Sequence, residues 1–154
     1  MVETQEYQTI LVGIDGSEQA RNAFDKALFV AQRNKAKVVV VHIIENRLYG
    51  NMGYSLTNAD LLQQETDRSK EVLEEYKQHA IKKGCPQVET VLAFGSPKVL
   101  MAEELPQKYQ ADLIMVGQSG LSAVEKLMMG SVSDYVIRNA PCDVLVVRPT
   151  LDEK

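Results

Sequence analysis

An α/β architecture built around a parallel sheet is expected for this chain from three observations. Five short apolar runs are rich in β-branched residues, helical periodicity separates them, and a glycine-rich loop follows the fourth run directly. Most of the runs are nearly continuous in hydrophobicity, as strands covered by helices on both faces must be. A ligand loop after a strand also fits, because open α/β sheets keep their ligands outside the carboxyl ends of the strands.

The first strand is Thr9 to Ile14. Behind it, Ala20, Ala23, Phe24, Ala27, Leu28 and Ala31 recur at the i, i+3, i+4, i+7 spacing of an amphipathic helix. Val38 to Ile44 is the second strand. The stretch from Glu45 to Thr57, with Gly50, Gly53, Tyr49 and Tyr54, reads as a surface loop, a lid over a ligand being the alternative. Asn58 to Lys83 is a long helix with Leu62, Val72, Leu73, Tyr76 and Ala80 inward, and its charges from Glu71 to Lys77 form a solvated face. After the third strand, Val88 to Ala93, a helix starts at Ser96-Pro97, where proline's missing N–H does no harm; Pro106 should end or kink it early. Leu113 to Val116 is the fourth strand. Ser131-Val132-Ser133-Asp134 fits a capping box opening a last helix that stops near Ala140-Pro141, and Val144 to Val147 is the fifth strand.

A length of 154 residues suits one domain, over residues 1–154 with its core at about 7–149. With 45% hydrophobic and 25% charged residues, and no apolar stretch of membrane-spanning length, a soluble protein with no membrane partner is expected. The polar, acidic start shows no secretory signal, so the expected location is cytoplasmic. A net charge of -4 argues against nucleic acid as a partner. Cys85 and Cys142 do not make a disulfide framework; both read as reduced thiols, Cys142 as a small buried hydrophobe and Cys85 as a loop residue.

Gly117, Gly120, Gly130 and Ser131 form a G-x2-G-x9-G-S pattern that reads as a phosphate-binding loop. Glycine lets backbone N–H groups turn toward an anion, and a serine at the next helix start adds a hydroxyl where the helix dipole is positive. Asp15-Gly16-Ser17 after the first strand stands at the same sheet edge. An acid there can accept from a ribose hydroxyl or an adenine amino group, although a helix-capping turn explains it equally well alone.

Ile10 to Ser17, the Gly95-Ser96-Pro97 turn, Asp112 to Gly117, and Gly130 to Val136 through Ala140 to Val147 resemble the universal stress protein family, and the glycine spacing is similar to that of its ATP-binding branch. The resemblance runs almost end to end. It implies a Rossmann-like open five-stranded parallel sheet in order 3-2-1-4-5, helices on both faces, and a cleft between the first and fourth strands. It further implies that Asp15 and the backbone around Val41 hold adenine and ribose, that Gly117 lies against ribose and first phosphate, and that Gly120, Gly130, Ser131 and Val132 surround the phosphates. ATP is the implied ligand, with magnesium as a companion to its phosphates, and a homodimer through the last strand is the implied assembly.

Catalytic motifs are weak beside this. The chain has no G-x4-G-K-[ST] loop, no H-E-x-x-H or paired-cysteine motif and no G-x-S-x-G elbow. Gln118 brings no charge to the loop; Lys98 and Lys126 are the nearest cations, and these and Glu125 read as solvated. His42, His79, Met128 and Met129 read as structural or packing residues. The expected function is a nucleotide-responsive stress regulator with little or no ATP turnover. An ATP-hydrolysing or phosphate-transferring enzyme and a nucleotide-free dimeric interaction module are the alternatives.

Overall fold

The computed structural model describes residues 6–45, 56–119 and 129–149. Its strands are β1 (Thr9–Ile14), β2 (Lys37–Ile44), β3 (Val88–Phe94), β4 (Leu113–Gly117) and β5 (Asp143–Val147). They form one sheet in the order β3-β2-β1-β4-β5, and every neighbouring pair is parallel. The helices are α1 (Glu18–Asn34), α2 (Leu56–Lys82), α3 (97–109, in three pieces) and α4 (Ser131–Asn139). The expected order and helix placement are both found.

The period of two along a strand sorts the core. Ile10, Val12, Ile14, Val38 and Val40 pack with Phe24, Leu28, Leu73 and Ala80 of α1 and α2. The intervening Leu11, Val39 and Val41, with Ile114 and Val116, pack with Leu100, Met101 and Leu105 of α3 and Val136 of α4. Each such aliphatic burial is worth about 1.5–3 kcal/mol, and a one-residue slip would exchange the two faces, so the register is firmly specified. Where β1 and β4 begin, Asp112 accepts from the N–H groups of Gln8 and Thr9 at 2.8 and 3.0 Å.

Helix α1 starts as its sequence suggests. Ser17 is the N-cap, its hydroxyl accepting from Ala20 N–H at 3.1 Å. Two expectations about the other helices need correction. Pro106 does not end α3: Leu100–Glu104 forms a π turn, Leu105 N–H reaches Leu100 O, and the helix continues through Leu105–Tyr109. The wider turn accommodates a proline that has no N–H for an α-helical bond. The capping box at α4 does not form either, because the N-cap is Gly130 and Ser131 is already the first helical residue. Asp134 instead pairs with Arg138 one turn on. Cys85 is a loop residue, buried, its thiol donating to Leu28 O at 3.3 Å; Cys142 is only partly buried.

Candidate functional site

Chain direction opens the site. After β1 the chain passes to α1 on one face of the sheet, and after β4 it reaches α4 on the other, so the carboxyl ends of these paired strands part. A cleft of about 390 Å³ lies there. Asp15, Val41, Gly117, Gly130, Ser131 and Val132 all line it; Gly120 lies outside the described residues, as do Glu125, Lys126 and Met128. So does residues 46–55 of the stretch read as a loop or lid, whose first residue Glu45 lines the cleft.

The floor depends on missing side chains. A Cβ on Gly13 would meet Met101 Cε at 3.2 Å and Sδ at 3.3 Å, so glycine lets Met101 cross the end of β1. Val41 is the register partner of Gly13 and is fully buried. A Cβ on Gly117 would come within 3.1 Å of the backbone of Gln19, which a flexible side chain's yielding cannot relieve. That close approach brings Gln19 Oε1 within 3.0 Å of Ser119 N–H, fixing the start of the glycine loop. The loop ends are tied as well. Gly130 N–H donates to Gln118 O at 2.7 Å, and Ser133 Oγ donates to Gly117 O at 2.6 Å.

The polar groups left over define the chemistry. Gly130 caps α4 without a side-chain bond, so the first N–H groups of a nine-residue helix reach the cleft unsatisfied by a cap, beside the exposed Ser131. Ser119 is 4% exposed and lines the cleft, yet its Oγ has no hydrogen-bond partner among the described residues. A buried hydroxyl in that state costs about 1–3 kcal/mol unless something polar arrives to bond it. Asp15 does make the capping turn, Oδ1 accepting from Ser17 N–H at 2.9 Å, while it remains exposed at the cleft wall. The turn and a ligand role are therefore compatible, since a carboxylate has a second oxygen.

Other candidates fall elsewhere. His42 is half-buried; burial pushes its pKa down against the opposing pull of Glu65, the Ile14 backbone and Asp15, and its Nδ1 lacks a partner among the described residues. His79 faces Asp25 at 3.3 Å between α1 and α2. Met129 is 41% exposed and so is not the packing residue expected. Lys98 is exposed. Sequence reasoning missed Ser119, Met101 and Gln19. Ser119 is the third residue of the glycine pattern and could have been found there; Met101 and Gln19 carry no motif and enter through packing.

The profile of the universal stress protein family matches residues 6–148. A universal stress protein of Staphylococcus haemolyticus is 46% identical over 142 residues, spanning 92% of this chain and 85% of that one. Among solved structures, universal stress protein UspA from Lactobacillus plantarum superimposes with a TM-score of 0.82 at 27% identity, covering 94% of this chain and 100% of its own. A universal stress protein in complex with cAMP gives 0.67 at 29%, covering 94% and 98%. The sheet order, the extent of the match and these identities agree: the chain belongs to the universal stress protein family.

Proposed function

We propose that this protein binds an adenine nucleotide, with ATP as the physiological form, and acts as a nucleotide-responsive regulator that turns it over slowly or not at all. The observation that carries the reading is the orphaned Ser119 hydroxyl, buried in the wall of a cleft that also receives the uncapped start of α4. Such donors suit phosphate and ribose oxygens, and each charge-assisted bond contributes about 1.5–3 kcal/mol. In this reading Val41 and its neighbouring backbone form the wall for adenine, and Asp15 accepts from the ribose or the amino group. Gly117 lies against the ribose and first phosphate, and Gly120, Gly130, Ser131 and Val132 surround the phosphates, with magnesium travelling on the phosphates themselves. The family member solved with cAMP supports an adenine nucleotide as the ligand class.

Efficient phosphoryl transfer needs γ-phosphate charge neutralised and a nucleophile aligned by a base. Among the described residues the cleft has two carboxylates, Asp15 and Glu45, and they fit other tasks: Asp15 holds the turn and faces the sugar, and Glu45 stands at the rim after β2. We also propose a cytoplasmic, single-domain protein that assembles through β5. Gln118 N–H donates to Val147 O, so Val147 faces β4 and the alternation of a strand turns Val146 N–H to the open edge. The test is calorimetric titration with AMP and ATP together with phosphate release. Saturable binding with turnover far below about 1 per second supports the switch, whereas robust turnover establishes an enzyme.

A further inference from the structure

A second cavity of about 420 Å³ adjoins the first. Gly95, Ser96 and Lys98 of the β3–α3 turn wall it on one side, while Glu45, Ser131 and Val132 line both cavities. Its volume matches that of the cleft to which the proposed function assigns a nucleotide, and a terminal phosphate would leave most of it empty. Resting on that reading, we propose that this cavity takes a second nucleoside joined through the phosphate chain, so that the site accepts dinucleoside polyphosphates besides ATP.

The placement follows from the shared wall. Ser131 and Val132, assigned to the phosphates, line both volumes, so a phosphate chain running past them passes from one cavity into the other. Lys98 stands where bridging phosphates would lie, and its ammonium has no ion pair among the described residues. Ser96 caps α3 without a side-chain bond, leaving its hydroxyl for a ligand. Glu45 selects the occupant: a carboxylate repels a free phosphate terminus but accepts from the hydroxyls of a second ribose.

The experiment is calorimetric titration of the full chain with AMP, adenosine 5′-tetraphosphate and diadenosine tetraphosphate. Both tetraphosphates carry the same number of phosphates, so their ratio reads the second nucleoside together with the free terminus that Glu45 disfavours, and the part removed by filling the second cavity belongs to the nucleoside. Diadenosine tetraphosphate should bind about tenfold tighter or more, through the bonds its second ribose gives Glu45 and Ser96. Ser96→Leu, which fills the second cavity, should lower the ratio about tenfold while leaving AMP affinity, which depends on the first cleft alone, unchanged. Equal affinities in the wild type, or a ratio untouched by Ser96→Leu, overturn the second-nucleoside assignment alone when AMP still binds. Failure of all three ligands overturns the nucleotide reading and this assignment with it.

Discussion

Replacing Ser119 with alanine should move stability and affinity in opposite directions, which no purely structural role for the residue would do. The unliganded protein holds Ser119 Oγ buried with no partner among the described residues, and deleting it relieves a desolvation cost of order 1 kcal/mol. For a chain of 154 residues this should raise the Tm by roughly 2–5 °C. The backbone should stay in place, because Ser119 N–H is held by Gln19 Oε1 at 3.0 Å rather than by the hydroxyl. In the nucleotide complex the same hydroxyl bonds a charged or ribose oxygen, and its loss should cost about 1.5–2.5 kcal/mol, or roughly 10- to 70-fold in Kd. Thermal melts with and without AMP, combined with calorimetric titration, read both quantities on one sample. A lower Tm for the unliganded variant with undiminished affinity would refute the reasoning, since Ser119 would then be satisfied within the fold and idle in the site.

Three further outcomes follow. Gly130 has φ -65° and ψ 154°, open to every residue, so Gly130→Val should fold normally, yet its branched side chain should lower nucleotide affinity at least about 30-fold; titration giving wild-type affinity would remove Gly130 from the phosphate site. Val146→Pro deletes an outward-facing donor on the edge strand and should yield monomer by light scattering, whereas a monomeric wild type at micromolar concentration defeats assembly through β5. Burial holds His42 below its ordinary value of 6.5, so the unfolded chain binds that proton more tightly. The associated stability is complete above about pH 6.5 and is lost as pH falls through the folded pKa; His42→Leu should flatten the acid side of a urea-midpoint profile, and an unchanged slope rules His42 out as its source.

The strands and sheet class were legible because burial on both faces leaves continuous β-branched runs, and α1 was legible because its alanine-rich stripe keeps a strict helical period. Elements whose form depends on partners were not. Pro106 reads as a stop or a kink because local rules cannot foresee the π turn just before it, held in place by the burial of Leu100, Met101 and Ala102. Ser131 reads as a cap because Ser-x-x-Asp is a capping pattern, but the bond from Gly130 N–H to Gln118 O makes glycine the cap and shifts the frame by one. Within the cleft, glycines announce themselves only as permissive residues. That Gly117 admits the backbone of Gln19, and Gly13 the thioether of Met101, is a property of packed surfaces.

Strand register and backbone hydrogen bonds place the cleft and the sheet edge mechanically near. Gly117 is the register partner of Val147, and the next residue, Gln118, donates to Val147 O at 3.1 Å while accepting from Gly130 N–H. The start of the glycine loop and the last residue of the edge strand thus share a hydrogen-bonded step. Ser133 adds a second tie, from α4 to Gly117 O. A nucleotide that reorders this loop would act on β5 directly. By linkage, any factor by which it tightens assembly must equal the factor by which assembly tightens nucleotide binding. The proposed switch therefore requires the Val146→Pro monomer to bind nucleotide with an affinity different from that of the dimer. Equal affinities would leave a binding site and an assembly edge joined in structure and independent in function.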